Sequence, residues 1–141
     1  MAEAKNNLAY LYAEQGDHLD RALDLAQDAK SLMPDNPSVS DTLGWVLFKR
    51  GVPSAAISYL KEAETRTAEA DASLGVIRYH LALAHEASGE QAEALEAIER
   101  SLQNLDEARE AAEGEPPPEP AWAAEARALR QRLEPGVASN S

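Results

Sequence analysis

A leucine followed by glycine at an unchanging distance, three times over, constrains this chain more than any other feature of it. The pairs are Leu8 and Gly16, Leu43 and Gly51, and Leu81 and Gly89. Each leucine precedes a small residue, Ala9, Gly44 or Ala82, and each glycine precedes an alanine with a large apolar neighbour, Ala22-Leu23, Ala56-Ile57 or Ala94-Leu95. The leucines recur after 35 and then 38 residues, a period that marks a stack of supersecondary units, none of which buries its apolar face alone.

Each unit reads as two helices. In the first, Leu8, Ala9, Leu11 and Tyr12 recur at helical spacing, Gly16 supplies a left-handed stop, and Leu19, Ala22, Leu23 and Ala26 open a second stripe. Asn36 before Pro37 predicts an N-cap with proline at the first helical position, and Pro53 repeats the device after Gly51. The small residues carry the packing: Ala9, Gly44 and Ala82 admit the paired helix, and Ala22, Ala56 and Ala94 receive it.

With these marks in place, residues 2 to 106 resemble tetratricopeptide repeats, whose pattern runs aromatic, Leu-Gly, Tyr, Ala, large apolar, Pro. The matching positions are Lys5, Leu8-Ala9, Tyr12, Ala22, Ala26 and Pro34 in the first unit, with one extra residue that lengthens the turn near Leu19. The second offers Ser40, Leu43-Gly44, Leu47, Ala56, Leu60 and Ala68, and the third Arg78, Leu81-Ala82, His85, Ala94, Ile98 and Asp106. The leading aromatic is missing from all three. The resemblance implies an all-α, right-handed α-solenoid of three helix-turn-helix units and a C-terminal capping helix. Its expected parts are 1–35, 36–69 and 70–113 as repeat units, the last with an extended second helix running to about Ala112.

Glu113-Gly114-Glu115-Pro116-Pro117-Pro118-Glu119-Pro120 must break that helix, because consecutive prolines do not stay helical. A Pro-rich loop is therefore expected over 114–120. Helical spacing resumes through Trp122, Ala126, Leu129 and Leu133, which predicts a capping helix over 121–134 with Trp122 covering the last apolar face. Residues 135–141 lack apolar periodicity and read as a flexible tail. No cap precedes the first unit, so the chain is expected to be the C-terminal piece of a longer repeat protein. Leu19-Asp20-Arg21-Ala22-Leu23 and Asp41-Thr42-Leu43-Gly44-Trp45-Val46 resemble the final repeats of large bacterial tetratricopeptide proteins, some of them envelope lipoproteins associated with exopolysaccharide export.

The resemblance places the first helices of successive units along a concave surface. It implies a groove lined by Asn6, Tyr10, Asp41, Trp45, Phe48, Lys49, Tyr79, Leu83 and Glu86, four of them aromatic in a chain that is 5% aromatic. Such a groove takes an extended segment or an amphipathic helix of a partner protein. Core packing is the competing role for each aromatic. Trp45 is the leading groove residue, and its replacement by alanine is expected to spare helicity while abolishing capture. Some family members clamp a terminal carboxylate with Lys, Asn, Asn, Lys and Arg. The matching positions, Asn6, Tyr10, Thr42, Val76 and His80, lack those cations, so a chaperone tail is not expected.

Charge and composition narrow the remaining functions. With 25 acids against 13 bases and a net charge of −12, nucleic acid and anionic membrane surfaces are repelled. No apolar run approaches the ~18 residues of a spanning helix, so no membrane insertion is expected. Cysteine is absent, which removes disulfides and thiolate chemistry. Eleven acids against Arg100 and Arg109 lie between Glu86 and Glu119; a solvated helix face is the ordinary meaning, and a basic partner the alternative. His80 and His85 stand five residues apart and do not share a helical face, so no metal site is expected. His18 falls in a turn and His85 at a core position of the repeat. No nucleophile–base pair and no Gly-rich phosphate loop stand out, so neither catalytic residues nor cofactors are assigned. The expected function is a protein-interaction scaffold. Its rivals are a self-assembly or spacer element stacking through the uncapped first unit, and a non-catalytic domain that positions an enzyme subunit.

Overall fold

The computed structural model describes residues 1–134; the tail expected over 135–141 lies outside the described residues. Seven helices and no strand occur among them: α1 (Ala2–Gln15), α2 (Leu19–Leu32), α3 (Pro37–Lys49), α4 (Pro53–Arg66), α5 (Ser73–Ala87), α6 (Gln91–Glu110) and α7 (Trp122–Leu133). They fall into two compact units, Met1–Thr67 and Ala68–Ser141.

In the first unit, α1 pairs with α2 and α3 with α4, and α3 also packs against both helices of the preceding hairpin. The helix ends are where the residues predict them. Gly16 stops α1 at φ 69°, and Asp17 N–H returns to the Tyr12 carbonyl at 3.1 Å. The residue that lengthens this turn is absorbed at His18, which adopts φ 51° while the Asp17 carboxylate accepts its N–H at 2.8 Å. Asn36 caps α3, its side chain accepting from Ser38 N–H at 2.9 Å and Val39 N–H at 3.3 Å.

Alanines Ala9, Ala13, Ala22, Ala26 and Ala29 are fully buried, so the first hairpin closes on methyl groups. The contact of α3 with α4 is also close. A Cβ on Gly44 would stand 2.7 Å from Leu60 Cγ and 3.1 Å from the Ala56 carbonyl oxygen, a space that only glycine leaves open. One polar node crosses this unit. Lys30 Nζ donates to the Pro34 carbonyl at 2.6 Å, Ser40 Oγ at 2.9 Å and Glu62 Oε1 at 2.8 Å, which uses all three ammonium protons and ties α2 to α3 and α4.

The second unit holds one hairpin and one further helix. Ala82, Ala84, Ala94 and Ile98 fill the interior of the α5/α6 pair, and Ser101 Oγ donates to the Gly75 carbonyl at 2.6 Å. Buried Arg78 reaches Asn104 Oδ1 at 2.7 Å and Glu69 Oε1 at 3.0 Å. The hydrogen bond from that guanidinium, with its charge in support, holds the Glu69 carboxyl below the usual carboxylate range.

Helix α6 ends at Glu110, two residues short of the expected Ala112, where the chain turns through Gly114 at φ 80° and enters the prolines. The loop is pinned rather than loose. Arg109 donates to the Pro117 carbonyl, and Arg127 makes a two-pronged bond with Glu119 at 2.7 and 2.5 Å. Helix α7 then lies on α6, with Ala123, Ala126, Leu129 and Leu133 buried.

Candidate peptide-binding surface

The groove-type residues of the first unit are spread along α1 and α3, with Trp45, Phe48 and Lys49 on the last turns of α3. Trp45 is only 4% exposed. Its indole N–H donates to Glu14 Oε1 at 2.7 Å, its ring stacks on Phe48 with centroids 5.3 Å apart and planes at 10°, and Lys49 Nζ stands 4.7 Å from its centroid. The indole is therefore a support beneath the surface, and Phe48, half-buried, and Lys49, exposed, are the groups it presents to solvent. That geometry reverses the expected behaviour of Trp45→Ala, since a ring so enclosed contributes to folding as well as to any contact. Tyr10 is half-buried on α1, and Asp41 is buried on α3.

Asn6 is also buried, 8% exposed, with Nδ2 donating to Ser38 Oγ at 3.3 Å and Oδ1 left without a hydrogen-bond partner among the described residues.

In the second unit two of the three assigned residues touch α7. Tyr79 stacks on Trp122, centroids 5.6 Å apart, and its hydroxyl donates to Glu125 Oε2 at 3.0 Å. Glu86 accepts both prongs of Arg132 at 2.7 and 2.8 Å, which raises the Arg132 pKa further above its ordinary value. Leu83 is half-buried. Trp122 performs the covering role that its position predicts: its Cη2 lies 3.3 Å from where a Cβ of Gly75 would be.

Sequence reasoning missed Glu14. Nothing in the repeat pattern marks it, since its role arises from a partner in another helix. The Gly75 seat was equally silent, because a lone glycine within a helical stretch does not reveal which ring will rest on it.

The histidines have local structural partners. His85 is buried with Nδ1 2.9 Å from Glu90 Oε1, His18 is exposed beside Tyr12, and His80 is buried next to Tyr79. Among the described residues no group of three or more His, Asp and Glu side chains is placed to hold a metal ion, and no helix is long and apolar enough to cross a membrane.

No protein-family model matches the chain. It is 34% identical over 65 residues to a TPR repeat-containing protein of Pseudomonas aeruginosa. Over that stretch the chain is similar to a tetratricopeptide repeat protein, and the structure is all-helical among the described residues, as that likeness implies. The matched stretch takes in 46% of this chain and 11% of the relative, so the chain spans a small part of that protein's length. Tetratricopeptide hairpins are in general protein-interaction elements without catalytic groups of their own. The tetratricopeptide marks read from the residues, Leu43-Gly44 with Ala56 and Leu60 above all, fall where α3 and α4 leave no room for a side chain at position 44.

Proposed function

We propose that this chain is a binding module that holds a polypeptide segment on the first-helix surface of residues 1–67, with Phe48 and Lys49 in contact with the partner and Trp45 and Glu14 holding them in place. The observation that carries the reading is the cluster itself. A stacked Trp–Phe pair with a cation on the indole face joins α3 to the last turn of α1, where aromatic and cationic groups supply contact energy at modest ordering cost. The test is affinity capture with the intact chain, a Phe48→Ser/Lys49→Ser variant and a Lys61→Ser control on α4. A partner retained by the control and lost by the double variant is the expected result; equal recovery by both would sink the reading.

A second reading rests on a different observation. Helix α1 buries only Asn6, Ala9 and Ala13, and Leu11 remains 52% exposed. A further helical hairpin stacked on α1 and α2, from preceding repeats or a second copy, would cover that apolar side. Light scattering over a wide concentration range tests the second copy: a constant monomer mass excludes it.

A further inference from the structure

We infer that the segment held on this surface is acidic, and that it places an internal Asp or Glu carboxylate on the Lys49 ammonium beside an apolar side chain resting on Phe48. The inference builds on the binding surface proposed above and adds the chemistry of its occupant.

Acids outnumber bases 25 to 13 in this chain, so a lysine has ample opportunity to find a carboxylate. Lys5 is paired with Asp28, Lys30 with Glu62, Arg50 with Asp20, Arg66 with Asp35 and Glu62, and Arg132 with Glu86. Lys49 has no ion pair among the described residues. Its ammonium is held instead over the face of Trp45 at 4.7 Å, on an indole fixed by the Glu14 hydrogen bond and the Phe48 stack. Arg21 and Lys61 also lack a carboxylate there, but neither stands on an aromatic ring.

The consequence is a cation whose position is set before any ligand arrives. A ring face leaves the outer N–H donors of an ammonium unused, and it does not neutralise the charge as a carboxylate would. An incoming carboxylate can take those donors as charge-assisted hydrogen bonds without first displacing a competing acid. Phe48 adjoins, half-buried, and offers apolar area next to the charge. Glu14 faces Trp45 Nε1 from α1, and Asp41 lies two turns before Lys49 on α3; both disfavour an anion on their own side. The ligand's carboxylate is thereby directed to the Lys49 end. A single cation suits one side-chain carboxylate; a terminal carboxylate clamp needs the several cations that Asn6, Tyr10, Thr42, Val76 and His80 do not supply.

The experiment titrates the full chain with four peptides and follows the Trp45 indole N–H and the Phe48 and Lys49 amides by NMR. Three are blocked at both ends and carry a Leu-X-Phe-Leu-X core with X as Glu, Gln or Lys; the fourth is the Gln peptide with a free C-terminus. Saturable shifts with the Glu peptide are expected, with affinity for the Gln peptide about tenfold weaker. Lys49→Gln should remove that preference, and Lys49→Glu should invert it toward the Lys peptide, with circular dichroism showing each variant folded. Equal binding of Glu and Gln peptides, a preference unchanged in Lys49→Gln, binding only through the free terminus, or no shift with any peptide would each overturn the inference. Loss of a captured partner in Phe48→Ser/Lys49→Ser, with no response to the Glu peptide, would leave the binding surface standing and remove only its acidic occupant.

Discussion

The two units solve the same packing problem with different materials. In residues 1–67 the hairpin α1/α2 is covered by α3, the first helix of another repeat, which packs on both of its helices. In the second unit the hairpin α5/α6 is covered by α7, which lies mainly on α6 and carries none of the repeat's Leu-small signature. The repeat helix reaches close contact through a missing side chain, Gly44 against Leu60. The capping helix inverts the device: the hairpin supplies the glycine, Gly75, and the cap supplies a large ring, Trp122. Coverage of an apolar hairpin thus requires a complementary surface, not a particular sequence pattern. Polar bonds accompany both solutions: Glu14 with Trp45 and Lys30 with Ser40 in the first unit, Glu86 with Arg132 and Tyr79 with Glu125 in the second.

The two tryptophans separate these solutions most sharply. Trp45 is buried among α1 and α3 side chains, so Trp45→Ala should lower the unfolding free energy by ~3–5 kcal/mol, measured by urea denaturation, and release Glu14 from its bond. Trp122 is only half-buried, so Trp122→Ala should cost about 2 kcal/mol and raise amide exchange in α7 first. Equal losses at the two sites would mean that cap and repeat are energetically alike.

The glycines give the next step. Gly44→Ala must push Leu60 and the Ala56 backbone away from α3 and should cost ~1–3 kcal/mol, whereas Gly75→Ala meets the far edge of an indole at 3.3 Å and the Ser101 carbonyl oxygen at an ordinary 3.5 Å and should cost less than about 1 kcal/mol. Smaller again is Arg132→Gln, expected at ~0.5–1 kcal/mol because the pair is partly exposed, and weakened by salt in the wild type.

The smallest effect is one of pH and belongs to the second unit. The Arg127 hydrogen bond holds Glu119 below its ordinary value of 4.5, so the contribution of that pair is complete above pH 4.5 and is lost as the pH falls through the lower folded-state value. Carboxyl NMR titration should show Glu119 returning toward its ordinary value in Arg127→Gln.

The repeat was legible because its signals are local or periodic. The Leu-to-Gly spacing, the Asn36 cap, the left-handed stop at Gly16 and the break at Pro116 to Pro118 each act through the few residues around them, and each appears where the residues predict it. The candidate surface was legible only in part. Phe48 is half-buried and Lys49 exposed in the first unit, whereas Trp45, assigned to the same groove, is buried, and Tyr79 and Glu86 are engaged by α7. Burial of Trp45 depends on side chains from α1, and the use of Tyr79 and Glu86 depends on where α7 comes to rest, which no periodicity records.

What the sequence by itself determined is therefore the succession of hairpins, their ends and the small residues along their seams, because these follow from backbone conformation and from the room a side chain occupies. Only the tertiary structure decided which polar and aromatic groups are spent on holding the fold and which remain for a partner. Glu14 is committed to Trp45 and Glu86 to Arg132, while Lys49 keeps an aromatic ring for company in a chain rich in carboxylates. That allocation turns on distances between residues far apart in the chain, so no local spacing or composition could have set it out.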